Sequence, residues 1–515
     1  MLTAASLVRK GFLPRELPPP FTSEPLATLF AGNPNLLPLG TGATECVRHN
    51  LARTGGFRRP LKLPNPRSYI ALAQALETYW QPLIEPHLKS QTLSLSSPAV
   101  TRTRERAVRP RYQIGQTTRL RARDWRSARF VLYADVSQFY SSLYTHAIPW
   151  ALHTKAVAKA QKGRTDGDKI DKAVRNCSGA QTVGIPIGPD TSFVVAEVVL
   201  TAVDSLLRKA LPTLRGFRYF DDYEVAFPTR AEAEEAQGHL ESALGDFELV
   251  VNPYKTRIFE LPHPFDATWK QELAAFPIRA ASRAQTNDTI AFFSLAAELA
   301  QRHAGALLYA LRKSNGIGVS SSGWPIFEGL VWSVVSNEPT TMAFALDLLR
   351  AKAAQAGRRV RKRAASEVIE ALIERNAPVR NGSEVAWALW AALLLDVRMT
   401  ANAATAVSSM DDDFVALLAL DADSRGLFPV GALDKSGWET LVKYTQVLRS
   451  DHWLLAYEGT RKGWLKSAAS RVQRDAFFSV LLANGISFYD PRPARQPFTG
   501  PAAPIPGAPL PDSYF

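Results

Sequence analysis

The chain has 515 residues, enough for two or three domains with their own cores. Its formal charge of +13 and pI near 9.7 favour a polyanionic partner. Its two cysteines, Cys46 and Cys177, form no C-x-x-C pair, so neither a zinc site nor a disulfide framework is indicated. No apolar run approaches the roughly 20 residues that span a bilayer, and Met1 to Lys10 is too short for a secretion signal, so a cytoplasmic location is expected.

Residues 1–130 mix proline-rich loops with one amphipathic helix expected over Ser68 to Leu83, and include the run Arg59-Pro-Leu-Lys-Leu-Pro64. A basic stretch follows. Arg102, Arg104, Arg106, Arg109, Arg111, Arg119, Arg121, Arg123, Arg126 and Arg129 face only Glu105 and Asp124 along the chain. Tyr112 and Trp125 interleave as stacking surfaces, a pattern that suits nucleic acid, with Arg109 and Arg111 as candidate phosphate contacts. A merely solvated basic face is the alternative.

From residue 131 to 270 the order is strand, helix, hairpin, helix, strand. Phe130 to Asp135 is strand-like. Gly184-Ile-Pro-Ile-Gly188-Pro-Asp-Thr-Ser192 leads into a long apolar helix through Asp204. Its glycines let a backbone approach a template or incoming base, and Ser192 is the expected helix cap. Arg215 to Phe227 reads as a hairpin with Asp221-Asp222 at its tip; a helix over Ala231 to Leu244 and the run Phe247 to Thr256 follow. An isolated Asp-Asp pair is commonly a solvated turn. Here the hairpin can present Asp221 beside the strand that ends at Asp135. Joining a 3′-hydroxyl to a nucleoside triphosphate uses two divalent ions about 3.5–4 Å apart, and a few carboxylates on rigid strands suffice to hold hard Mg2+.

In this order the segments resemble the motifs of reverse transcriptases. Tyr133 to Tyr140 resembles motif A, Gly184 to Ser192 motif B, Tyr219-Phe-Asp-Asp222 the Y-x-D-D of motif C, and Asn252 to Thr256 motif D. Arg59 to Pro64 looks like the fingers motif. The resemblance implies an α+β right-hand fold, with fingers over 1–130 and palm over 131–270. It implies Asp135, Asp221 and Asp222 as catalytic metal ligands for two Mg2+ ions, with Mn2+ as the substitute. Arg59, Tyr140, Gly188 and Lys255 become nucleotide contacts: Arg59 on the triphosphate, where its fork suits phosphate, Tyr140 as the gate against a ribose 2′-hydroxyl, and Lys255 toward pyrophosphate, with an ordinary solvated lysine as the alternative. One departure is Pro186-Ile187-Gly188 where many members have Pro-Gln-Gly. Ile187 lacks the amide that borders the nucleotide pocket. The Ile form with Gly-Pro-Asp-Thr-Ser looks like the bacterial abortive-infection and defence-associated reverse transcriptases.

Residues 271–488 change character to apolar-periodic segments: Ile290 to Leu311, Ile326 to Val335, Thr340 to Ala356, Ala364 to Glu374, Glu384 to Leu395, Phe414 to Leu420 and Trp438 to Leu448. A stack of helix pairs buries so many one-sided helices, and it resembles the HEAT-like helical domain of those defence enzymes. Asp411-Asp-Asp413 reads as a helix start. In some members of that group a hydroxyl from the helical domain primes synthesis. Tyr309, Tyr444, Tyr457, Tyr489 and Tyr514 lie in this half, and none is singled out. The tail 489–515 is proline-rich and expected to be extended, with Tyr514-Phe515 as an anchor or as a disordered end.

The resemblance therefore implies an RNA-directed DNA polymerase acting in anti-phage defence, untemplated and protein-primed as in some members of the group. Its partners would be deoxynucleoside triphosphates and RNA or DNA, with no membrane, and a homo-oligomer is compatible with it. A retron-type enzyme copying a dedicated noncoding RNA is the alternative within the class. A non-polymerising RNA-binding scaffold or phage sensor is the alternative outside it.

Overall fold

The strand β5 (Phe130–Asp135) is almost wholly buried, and a strand covered on both faces needs neighbours on both edges. It has them. With β6 (Arg215–Tyr219), β7 (Asp222–Phe227) and β8 (Arg257–Glu260) it forms a four-stranded antiparallel sheet in the order β6-β7-β5-β8. The Arg230–Gly245 helix starts at a capping box in which Thr229 and Glu232 satisfy each other's backbone N–H groups. Its Ala233, Ala236, Leu240 and Leu244 lie at helical spacing and turn inward on β5 and β7. Beside it runs the Asp190–Ala210 helix, buried at every residue from Asp190 to Asp204. The computed structural model describes residues 1–101, 106–279 and 282–494.

Ser192 does not cap that helix. The helix begins two residues earlier, after Pro189, and Ser192 lies buried within its first turn. The Asp190 carboxylate is turned away from its own helix to accept the N–H groups of Ala107 and Val108 and to pair with Arg106. A proline that fixes the entry and an aspartate with a tertiary partner replace the local hydroxyl cap.

Ahead of the sheet, β1 (Val47–Ala52) and β2 (Arg58–Leu63) form a hairpin whose turn carries Gly55 and Gly56, both at φ near +80° (82° and 79°). The expected N-terminal helix is present as Pro66–Tyr79, capped by Asn65 and continued by a π turn over Trp80–Ile84. β3 (Pro98–Val100) pairs with β4 (Val108–Pro110).

The second half is a two-row stack. Ser282–Ala300, Trp324–Asn337, Lys362–Asn376 and Ala401–Ser408 pack along one row. Ala306–Ser314, Met342–Gln355, Gly382–Leu395, Asp413–Ser424 and Trp453–Arg461 pack along the other. Each helix also touches its sequence neighbour across the rows, as stacked helix pairs do. Ile290 to Leu311 is two helices, broken where Gly305 adopts a left-handed conformation. Trp438 to Leu448 likewise divides into Ser436–Val442 and a 3-10 turn. Asp412 caps its helix by accepting from Phe414 and Val415 N–H, as a helix-start cluster should.

The stack turns back onto the N-terminal region. Arg58 grips buried Glu384 through two bonds of 2.8 and 2.6 Å, His49 Nδ1 meets Asp412 at 2.8 Å, and Trp387 donates to the Glu16 carbonyl. Phe21 bridges to Tyr489, which is fully buried and donates its hydroxyl to Asp421 at 2.7 Å. Tyr489 thus belongs to the core. Pro491–Ala494 is a short helical turn where extended chain was expected, and 495–515, including Tyr514 and Phe515, lie outside the described residues. Cys46 and Cys177 are buried free thiols. Among the described residues no helix is long and apolar enough to cross a membrane.

Candidate functional site

The acidic hairpin reaches the end of β5. Asp135 and Asp222 are direct cross-strand partners, and the Asp221 carbonyl accepts from Val136 N–H at 3.2 Å. Burial, then the charge of Asp135, pushes the Asp221 carboxyl up to about 6. Burial, then Asp221, pushes Asp222 up to about 7. Close-set carboxylates raise one another's proton affinity, and their hard oxygen donors suit Mg2+ or Mn2+. As placed, each carboxylate has internal contacts or neighbours instead. Asp135 accepts from Asn252 Nδ2 at 3.0 Å and Lys255 Nζ at 2.9 Å, and Asp222 accepts from the Tyr133 hydroxyl at 2.7 Å. Among the described residues no three His, Cys, Asp or Glu side chains stand close enough together to hold an ion as they are. The donor chemistry fits a hard divalent cation, and the Lys255 ammonium contacts one Asp135 oxygen.

Two arginines on the β1–β2 hairpin face this site. The Arg59 charge opposes the rise at Asp221, and Arg53, itself held below its usual range by burial and by Arg59, senses both Asp221 and Asp222. Arg53 was not singled out from the sequence. Its signal was the Arg53-Thr-Gly-Gly-Phe57 tip, a glycine hairpin turn whose closing bond runs from Arg53 N–H to Phe57 O. Tyr140 is half-buried at the start of the Phe139–Ser142 helix, after a left-handed turn at Gln138, with its ring against Phe139.

Gly188 lies against the N-terminal segment. At φ +127° it has no room for a Cβ, which would meet Pro14 at 2.5 Å, and its carbonyl accepts from Arg106. The close approach it permits is to Pro14 of the N-terminal segment.

A buried ion cluster holds the hairpin from behind, and it too was missed. Arg218 has no exposed side-chain surface. It bonds Asp204 at 2.7–3.1 Å, Glu197 at 2.9 and 3.1 Å, and the Phe220 carbonyl at 2.7 Å. Ser96 links Glu197 to the Phe220 N–H, and Tyr223 donates to Asp204. Phe220, at φ 53°, sits in a conformation rare for a bulky residue, and this cluster fixes both of its backbone polar groups. Nothing in Arg218's own neighbourhood along the chain announces the ion pairs, because both carboxylate partners come from the long helix.

The basic stretch divides. Arg106 pairs with Asp190, Arg121 with Glu224 and Arg129 with Glu260, carboxylates remote in sequence. Trp125 is buried against Phe259 and Phe265 and is not an open stacking surface. Arg102 and Arg104 lie outside the described residues. Arg109, on β4, and Arg111 are exposed, beside exposed Tyr112. Replacing both arginines by alanine is expected to make the salt dependence of nucleic-acid binding shallower by about one per arginine. An unchanged slope in a filter-binding titration removes them as phosphate contacts.

No family model matches the chain, and no curated protein sequence matches it significantly. Among solved structures, an apo telomerase from Candida tropicalis is similar at 12% identity and TM-score 0.31, covering 76% of this chain and 71% of that one. So slight a likeness assigns no fold.

Proposed function

We propose that the chain is a metal-dependent nucleotidyltransferase of reverse transcriptase type, synthesising DNA in anti-phage defence, with the two-row stack as its HEAT-like domain. The observation that carries the proposal is the cross-strand pair of Asp135 and Asp222 with Asp221 at the adjoining turn, faced by Arg53 and Arg59. In this reading β5 to β8 are the palm, and the β1–β2 hairpin belongs to the fingers. Asp135, Asp221 and Asp222 would hold divalent ions, which when bound lower the charge barrier between a 3′-hydroxyl and a triphosphate.

The chain's own groups divide the remaining work. Arg59 and Arg53 bind and orient the triphosphate, whose charge matches theirs. Lys255, once displaced from Asp135, is placed to neutralise departing pyrophosphate. Tyr140 excludes the 2′-hydroxyl. Ile187 offers no amide to a template-paired base, which supports weakly templated or untemplated growth.

The test is incorporation of labelled deoxynucleotides by the purified chain with Mg2+, with Mn2+ and with EDTA, with and without added RNA. Metal-dependent incorporation of deoxynucleotides in preference to ribonucleotides is expected. If none occurs under any template condition while the chain still protects cells from phage, a binding scaffold replaces this reading.

A further inference from the structure

A cavity of about 720 Å3 opens between the N-terminal segment, the β1–β2 hairpin and the helical half. Among the described residues that line it, eight are Lys or Arg and two, Glu16 and Glu24, are acidic. The cations stand on separate walls. Arg53 and Arg59 stand on the side of the β1–β2 hairpin, while Lys270 and Arg312 come from the helical half. Part of this charge is matched internally, by Glu24 at Arg9, Glu16 at Arg15, Asp190 at Arg106 and Asp266 3.7 Å from Lys270, while basic residues outnumber acidic ones in the described lining eight to two. The far wall also carries flat rings. Trp269 meets Tyr309 edge-on at 5.7 Å, and both are only partly buried.

Cations divided between walls, with aromatic rings on one of them, match a flexible strand that carries phosphates along one edge and open base faces along the other. A duplex hides its base faces in its own stack. A lone triphosphate calls for cations gathered around one point. We propose that this cavity binds single-stranded nucleic acid, held between the β1–β2 hairpin and the wall of Trp269, Tyr309, Lys270 and Arg312. This binding does not depend on the nucleotidyltransferase reading.

The test is fluorescence anisotropy of a labelled oligothymidylate with the full chain in EDTA, where no synthesis proceeds. Lys270→Gln with Arg312→Gln should weaken binding and make its salt slope shallower by about 1.4, roughly 0.7 for each phosphate of a single strand deprived of its cation. An unchanged slope overturns the proposal. Should the double variant misfold, ultraviolet cross-linking of the same probe to the wild-type chain decides: adducts within 268–275 or 306–314 support the site, and adducts confined elsewhere sink it. A chain that binds here but never incorporates nucleotide keeps this inference and loses the polymerase. One that polymerises with an unchanged slope does the reverse.

Discussion

Replacing Asp221 and Asp222 together by asparagine is expected to lower metal-dependent nucleotide incorporation by about 10³-fold or more, which corresponds to roughly 4 kcal/mol of barrier. An amide occupies the same space and can still accept from the Tyr133 hydroxyl, so the hairpin should persist while its hold on a cation is lost. Thermal stability should move the other way. Burial, reinforced by neighbouring carboxylates, raises both groups to about 6 and about 7, so the folded chain retains protons that the unfolded chain has released. The unfolded carboxyls titrate near 4, and the folded state therefore binds more protons between about pH 4 and pH 7. Over that window this pair makes stability fall as pH rises, and the penalty is complete above the folded values. In EDTA the double variant should melt at a higher temperature than wild type at pH 8, with the gap closing toward pH 4. Circular dichroism melts across that range check the sign. A lower melting temperature at pH 8, or normal incorporation, defeats the assignment.

Arg218→Met should be the most destabilising single change in the sheet. Its removal leaves Glu197 and Asp204, at 1% and 0% side-chain exposure, without their shared cation, and breaking a buried pair typically costs about 3–5 kcal/mol. Lysine is not an equivalent, since one ammonium cannot reproduce a fork that spans two carboxylates and the Phe220 carbonyl. A second variant separates stability from positioning. Adding Glu197→Gln and Asp204→Asn to Arg218→Met removes the orphaned charges and should recover much of the denaturant midpoint. Incorporation should remain low, because the Phe220 carbonyl still lacks its donor and the acidic tip is free to turn. Wild-type stability in the single variant would contradict the cluster's structural role. Full incorporation in the triple variant would contradict its positioning role.

Lys255 illustrates how far local reading reached. Its place after the acidic hairpin marked it as a nucleotide contact, yet its ammonium rests on Asp135. The basic stretch shows the same limit. Ten arginines against two acids in sequence looked like one uncompensated surface, but Asp190, Glu224 and Glu260 arrive from other elements to neutralise three of them. Side-chain pairing across the fold is invisible to charge counted along the chain. The Ser192 cap failed for a related reason, since the tertiary partners of Asp190 set where that helix begins.

What the sequence determined by itself is whatever depends on short-range pattern. The alternation of strand and helix around Asp135 and Asp221-Asp222, the Thr229 capping box, the Asp412 helix start and the apolar periods of the second half all follow from local propensity and spacing. Tertiary structure alone decided which surfaces meet. It brought the charges of Arg53 and Arg59 to bear on the carboxylates, placed Arg218 behind them, and folded the helical stack back onto the N-terminal region through Arg58–Glu384 and His49–Asp412. Those contacts join residues from 14 to 363 positions apart. Their geometry comes from packing one continuous core and satisfying its buried charges, neither of which any window of sequence contains.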